Sequence, residues 1–379
     1  MGNQVRELAA AGQSVWLDNI RRSMFASGEL QKLVDIGLRG QTSNPTIFEK
    51  AIDAGTDYDA QLKSLIGTEH DPQALFEALA IQDIRSACDV FAPVFKSTDG
   101  LDGYVSLEVS PTLAQDTKGT IEAAARLWKA VDRPNVMIKI PGTTECVPAI
   151  RASTAAGINI NVTLLFSVEQ YEAAATAYIE GLEDRVRAAQ PIDKIASVAS
   201  VFVSRIDTAV DKQLDELIAK GDKLDDVKGM VGVANLKLTY QRFERLFNGP
   251  RFAPLHARGA KVQRPLWAST STKNPAYDDL MYVVSVVGTN TVNTMPPGTI
   301  AALLDHGVVK PDTIHDDVAA CRALIGFLDS KGISLRDVTE QLVADGVKAF
   351  AKSFREMLDA ITAKQDLLAG KQPVKVEAK

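Results

Sequence analysis

Residues 134–143 read "PNVMIKIPGT", a run in which a single charged side chain, Lys139, stands among apolar neighbours. Val136, Met137, Ile138 and Ile140 have the pattern of a strand buried on both faces, as in a parallel sheet covered by helices. Strand alternation puts Met137 and Lys139 on one face and Val136, Ile138 and Ile140 on the other. In a closed parallel sheet the first face is the barrel interior and the second meets the surrounding helices. Lysine is almost never fully buried without a partner or a task.

Seven further segments of this kind recur along the 379 residues: 14–20 (SVWLDNI), 37–45 (GLRGQTSNP), 104–111 (YVSLEVSP), 157–166 (GININVTLLF), 195–203 (IASVASVFV), 264–270 (RPLWAST) and 281–289 (MYVVSVVGT). Helical patterns separate them. Asp71 and Pro72 stand as N-cap and first helical residue before Leu75, Phe76, Leu79, Ile84 and Cys88, and Ser167 with Gln170 forms a capping-box pattern. Alternating strand and helix predicts parallel βαβ units, and eight of them close an α/β fold of the (β/α)8, or TIM-barrel, type. An open doubly wound sheet is the competing architecture, but the residues after the first strand, LDNIRRSMFASG, lack the glycine-rich phosphate loop that would accompany it. The long gaps from strand two to three and six to seven call for extra helices. Three more helical stretches, near 297–305, 312–330 and 335–367, are expected to pack over the barrel, followed by a flexible tail at 371–379. No Pro- or Gly-rich linker divides the chain, so residues 1–379 are expected to form one domain.

Composition narrows the function classes. Hydrophobic residues make up 46% and charged residues 24%, the balance of a globular protein. A net charge of -6 with no basic block argues against nucleic acid or an anionic membrane as partner. No run approaches the roughly 20 apolar residues of a membrane span, and the start lacks a signal-peptide pattern, so a cytoplasmic protein is expected. Cys88, Cys146 and Cys321 are odd in number and widely spaced, which fits reduced thiols. The four histidines show no paired ligand spacing, so no metal is expected.

In (β/α)8 barrels the reactive groups sit at the carboxyl ends of the strands. Here those ends carry Asp18, Thr42 and Asn44, Glu108, Lys139, Asn161 and Thr163, Ser200, and Ser269. A lysine in the interior is partly desolvated, which favours the free amine and makes it a candidate Schiff-base nucleophile. The residues alone leave a second reading open, a structural ion pair of Lys139 with Glu108. Likewise Asp18 or Asn44 can cap a helix and Ser200 can be a satisfied barrel hydroxyl. Their convergence on one rim, where a purely structural core would be apolar, favours chemistry.

Four motifs in order, QTSNPTIF (41–48), IKIPGT (138–143), INVTLLFS (160–167) and SVASVFVSRID (197–207), together with the rest of the chain, resemble the transaldolase family in its longer bacterial branch. The resemblance implies a class I aldolase-type barrel that moves a dihydroxyacetone unit between sugar phosphates without cofactor or metal, as a monomer or homodimer. It further implies that Lys139 is the Schiff-base lysine, Asp18 and Glu108 the acid–base carboxyls, and Thr163 the residue that positions a water. Asn44, Asn161 and Ser200 then hold substrate hydroxyls, Thr42 and Ser269 join the substrate-binding set, and Arg205 binds phosphate. Shorter members carry an arginine after the strand-seven serine; here the run is ASTSTKNP (268–275), and Lys273 is the nearest cation for a second phosphate contact. The competing functions are a fructose 6-phosphate aldolase-like lyase and a non-catalytic sugar-phosphate-binding barrel.

Overall fold

The computed structural model describes residues 2–53 and 55–369; the expected tail at 371–379 lies outside the described residues. Eight parallel strands close a barrel in sequence order: β1 (Gln13–Asp18), β2 (Gly40–Thr42), β3 (Tyr104–Glu108), β4 (Val136–Pro141), β5 (Ile160–Leu165), β6 (Ser197–Phe202), β7 (Gln263–Ala268) and β8 (Thr291–Met295). The seam is the pairing of β1 with β8, from Gln13 opposite Thr291 to Leu17 opposite Met295.

The two faces of β4 divide as alternation requires. Val136, Ile138 and Ile140 join the apolar layer between barrel and helices, while Met137 belongs to the interior cluster with Trp16, Tyr104, Leu266 and Val292. Trp16 fills that interior because β2 offers no side chain opposite it. A Cβ at Gly40 would lie 2.6 Å from two carbons of the Trp16 indole. Gly40→Ala is therefore expected to overpack the interior and destabilise the fold by about 1–3 kcal/mol, read as a lower urea midpoint with an unchanged slope.

At the amino end the barrel is sealed by a polar plug. Arg264 donates to Asp102 (2.9 Å), to Ser14 Oγ (2.7 Å) and to the Thr291 carbonyl (2.8 Å), and Ser14 Oγ donates to the second Asp102 oxygen (2.8 Å). This ties β1, β7, β8 and the loop before β3 together with the buried charge paired.

The gaps hold helices as expected: Pro45–Asp53, Asp59–Leu65 and Pro72–Ser97 before β3, and Ser204–Ile218, Val231–Phe247 and Ala253–His256 before β7. Both helix starts read from the sequence are present. Asp71 accepts from the Gln73 and Ala74 amides, and Ser167 and Gln170 form a reciprocal capping box. The eighth strand requires correction. Residues 281–284 form a short helix and the strand begins at Thr291. The apolar run Val283, Val286 and Val287 is buried in the outer layer, where it imitates a strand in composition. Beyond β8 lie helices Pro297–His306, Val318–Ser330 and Leu335–Leu368. The last packs on Pro45–Asp53, Pro72–Ser97 and Ser204–Ile218 and so crosses the carboxyl-end mouth. No helix among the described residues is long and apolar enough to cross a membrane.

Candidate active site

A cavity of about 290 Å3 opens at the carboxyl ends of the strands. Nine of the eleven candidate residues line it: Asp18, Thr42, Asn44, Lys139, Thr163, Ser200, Arg205, Ser269 and Lys273. The other two, Glu108 and Asn161, lie beside Lys139 in the barrel wall. Parallel register sets Glu108 opposite Lys139 and Lys139 opposite Asn161 on successive strands.

Lys139 is 5% exposed and Glu108 8%. The ammonium is 3.4 Å from Glu108 Oε2 and donates to the Ser43 carbonyl at 3.2 Å. Glu108 Oε1 and the buried Thr163 hydroxyl find no hydrogen-bond partner among the described residues. Two such groups beside an amine form a place where a water would be held and exchanged. Burial pushes the Glu108 carboxyl above its ordinary pKa, and the neighbouring Lys139 only partly offsets this. Asp18 is raised in the same way by burial, with Lys139 and a hydrogen bond from Thr42 opposing. Carboxyls shifted upward in this manner are better proton carriers than ordinary surface carboxylates.

Asp18 is oriented by a relay. Thr42 Oγ donates to Asp18 Oδ1 at 2.8 Å and lies 2.7 Å from Thr294 Oγ. Because a hydroxyl has one proton to give, Thr294 supplies the second bond to Thr42. Asn161 is fully buried, with Oδ1 accepting from Ser200 (2.7 Å) and Nδ2 donating to Ser106 (2.9 Å). Asn44 Oδ1 accepts from the Ile47 amide (3.0 Å), so Asn44 does cap helix Pro45–Asp53 while facing the cavity.

The opposite wall is cationic. Arg205, in the first turn of helix Ser204–Ile218, lies over the Phe202 ring at 5.2 Å and is half-buried, and burial lowers its pKa. Lys273 donates to Ser271 Oγ (2.8 Å); burial and then the Arg205 charge lower its pKa. Two cations repelling each other across a cavity form a site that an anion would relieve. Ser269 holds φ +58°, a left-handed turn that closes β7 and brings its hydroxyl 2.9 Å from Ser204 Oγ.

Residues not anticipated from the sequence also line the cavity. Thr294 was hidden by the misplacement of the eighth strand, while Lys50, Ser271 and Phe202 stand beside motifs that were already recognised. Phe350, from the helix crossing the mouth, forms the roof, and Thr46 Oγ bonds Ser353 Oγ of the same helix at 2.9 Å. No local signal marks these contacts, since they join segments about 300 residues apart.

A barrel with a buried lysine among carboxyls and hydroxyls at its carboxyl end and cations on the facing wall has the groups that Schiff-base chemistry on an anionic carbonyl compound would need. The sequence model of the transaldolase/fructose-6-phosphate aldolase family matches residues 15–361, and the chain belongs to this family. A Trichodesmium erythraeum protein named transaldolase is 46% identical over 371 residues, covering 96% of this chain and 97% of that protein. Transaldolases of Mycobacterium ulcerans and Mycolicibacterium smegmatis are each 46% identical, over 364 and 360 residues, covering 96% and 95% of this chain and 97% and 96% of those proteins.

Proposed function

We propose that the chain is a transaldolase, an enzyme that transfers dihydroxyacetone from sedoheptulose 7-phosphate to glyceraldehyde 3-phosphate, giving erythrose 4-phosphate and fructose 6-phosphate. In this reading it serves the non-oxidative pentose phosphate pathway in the cytoplasm, as a monomer or homodimer, and its partners are sugar phosphates. The observation that carries the reading is Lys139, buried at a strand end beside Glu108 and facing a cavity whose far wall presents Arg205 and Lys273.

The ketose phosphate binds with its phosphate toward Arg205 and Lys273, and that remote binding energy aligns the ketone. The Lys139 amine adds to C2. Glu108, through a water shared with Thr163, carries the protons that let the carbinol oxygen leave as water, giving the iminium. Asp18 takes the C4 hydroxyl proton as the C3–C4 bond breaks, and the bonding pair moves into the iminium to form an enamine. The aldose phosphate departs. Asn44, Asn161, Ser200, Thr42 and Ser269 hold the three-carbon unit until an acceptor aldehyde adds at C3 and the steps reverse.

Transfer rather than release requires the enamine to be kept from bulk water. The Phe350 roof supports that outcome. Phe350→Ala is expected to raise free dihydroxyacetone release relative to transfer several-fold, assayed by product analysis at fixed acceptor concentration.

The test of the function is turnover of fructose 6-phosphate with and without erythrose 4-phosphate, alongside borohydride trapping. Acceptor-dependent turnover with a trapped adduct supports a transaldolase. Acceptor-independent release of dihydroxyacetone would instead make it a lyase, and no adduct would leave a binding barrel.

A further inference from the structure

Helix Ser204–Ile218 carries Arg205 and, on one face four residues apart, two buried carboxylates that make no close ion pair among the described residues, Asp207 and Asp211; the nearby Lys228 pairs with Asp215 instead. Each carboxylate makes the same pair of bonds. Asp207 accepts from the Gly232 amide (2.7 Å) and the Tyr282 hydroxyl (2.7 Å). Asp211 accepts from the Gly229 amide (3.0 Å) and the Tyr277 hydroxyl (2.6 Å). Buried carboxylates satisfied by hydrogen bonds alone are costly to place. Asp207, 1% exposed, has its pKa pushed up to about 6 by burial, with Asp211 adding to the shift.

The glycines make the close approach possible. A Cβ at Gly232 would lie 2.7 Å from Asp207 Oδ2, and one at Gly229, whose φ is +74°, would lie 2.8 Å from the Tyr277 ring. The two tyrosines belong to the segment between β7 and β8 that also carries Ser269, Ser271 and Lys273. Arg205 and Lys273 set like charges on the helix and on that segment, an arrangement that costs Coulomb energy unless the two elements are tied together. The two Tyr–Asp bonds make that tie just beyond Lys273.

We propose that Tyr277 and Asp211, backed by Tyr282 and Asp207, are positioning residues that clamp the Lys273 loop to the Arg205 helix and hold the two cations at phosphate-binding separation. This rests on the reading of Arg205 and Lys273 as phosphate ligands given above. None of the four lines the cavity.

The test compares wild type, Tyr277→Phe, Asp211→Ala and Asp211→Asn, all full length, by 31P NMR titration with inorganic phosphate and by steady-state kinetics. Loss of one clamp bond is expected to weaken phosphate binding about tenfold in Tyr277→Phe and Asp211→Ala. KM for fructose 6-phosphate rises in parallel and kcat stays within about twofold. Asp211→Asn is expected to stay near wild type, because its amide can donate to a tyrosine oxygen that now accepts. Phosphate affinity changed less than twofold in both weakened variants, or kcat and KM altered only in step with a lowered melting temperature, would overturn the clamp. Absence of phosphate binding by wild type overturns it together with the cationic grip. Phosphate binding that responds as expected in a chain without aldol transfer sinks only the transaldolase reading and leaves the clamp standing.

Discussion

Lys139→Ala is expected to lower acceptor-dependent turnover by about 10^4-fold or more, because removal of a covalent nucleophile eliminates the route rather than slowing one step. The cavity's other amines, Lys50 and Lys273, stand on the following helix and on a loop, not at the floor. Intact mass after borohydride reduction with fructose 6-phosphate should show a dihydroxyacetone-sized adduct in wild type, mapped to the peptide holding Lys139, and none in the variant. Alanine also strips the buried Glu108 of its only ion pair among the described residues, so folding must be controlled. Lys139→Arg retains a cation beside Glu108 but supplies no free amine. It should fold and still fail to trap. An adduct on either variant would remove Lys139 from the centre of the mechanism.

Asp18→Asn is expected to be the second largest loss, about 10^2 to 10^4-fold in kcat, the range for a positioned general base. It should separate steps that Lys139→Ala merges. The amine still adds to the ketone, so borohydride should trap the whole ketose phosphate on Lys139 instead of the three-carbon unit. Stability should move the opposite way. Burial raises the Asp18 pKa in the folded chain, so above that pKa the ionised carboxylate disfavours folding, and the penalty fades as pH falls and the group takes up its proton. The asparagine variant should therefore melt higher than wild type at neutral pH, with the gain shrinking in acid. A dihydroxyacetone adduct on Asp18→Asn would show that another group accepts the C4 proton.

Much of this architecture is legible in the chain because barrel strands advertise themselves locally. Apolar runs with a polar residue at the carboxyl end appear at seven strands, and alternation at 136–140 assigns Lys139 to the interior and its neighbours to the helix layer. The eighth strand escapes such reading. Its residues Thr291, Asn293 and Thr294 are polar and buried, with Thr291 donating to the Gly288 carbonyl, Asn293 Nδ2 to the Tyr282 carbonyl, and Thr294 bonded to Thr42. The strand lacks the apolar run that marks the others, and the Thr42 partner that makes Thr294 acceptable lies 252 residues away, outside any window of sequence. Leu164 gives a second case. Its φ of +59° and the register shift between Val162 and Leu165 break the alternation of β5, and Leu164 leaves the outer layer of its neighbours to lie beside Gly346 of the last helix. The roof residue Phe350 and the clamp tyrosines are invisible for the same reason: their meaning lies in contacts across the fold.

The Thr294–Thr42–Asp18 relay spans the barrel seam, with Thr42 and Thr294 separated by 252 residues. Loop-closure entropy makes contacts of that range among the slowest to form, whereas βαβ units assemble from near neighbours. On refolding, helical content and most strand pairing can return before the first strand meets the last. The relay to Asp18, the proton acceptor of the proposed mechanism, is incomplete until that meeting occurs. On that mechanism, regain of catalysis acts as a clock for ring closure, lagging the optical signals of secondary structure, and a chain arrested with its seam open would hold Lys139 without a fully oriented Asp18.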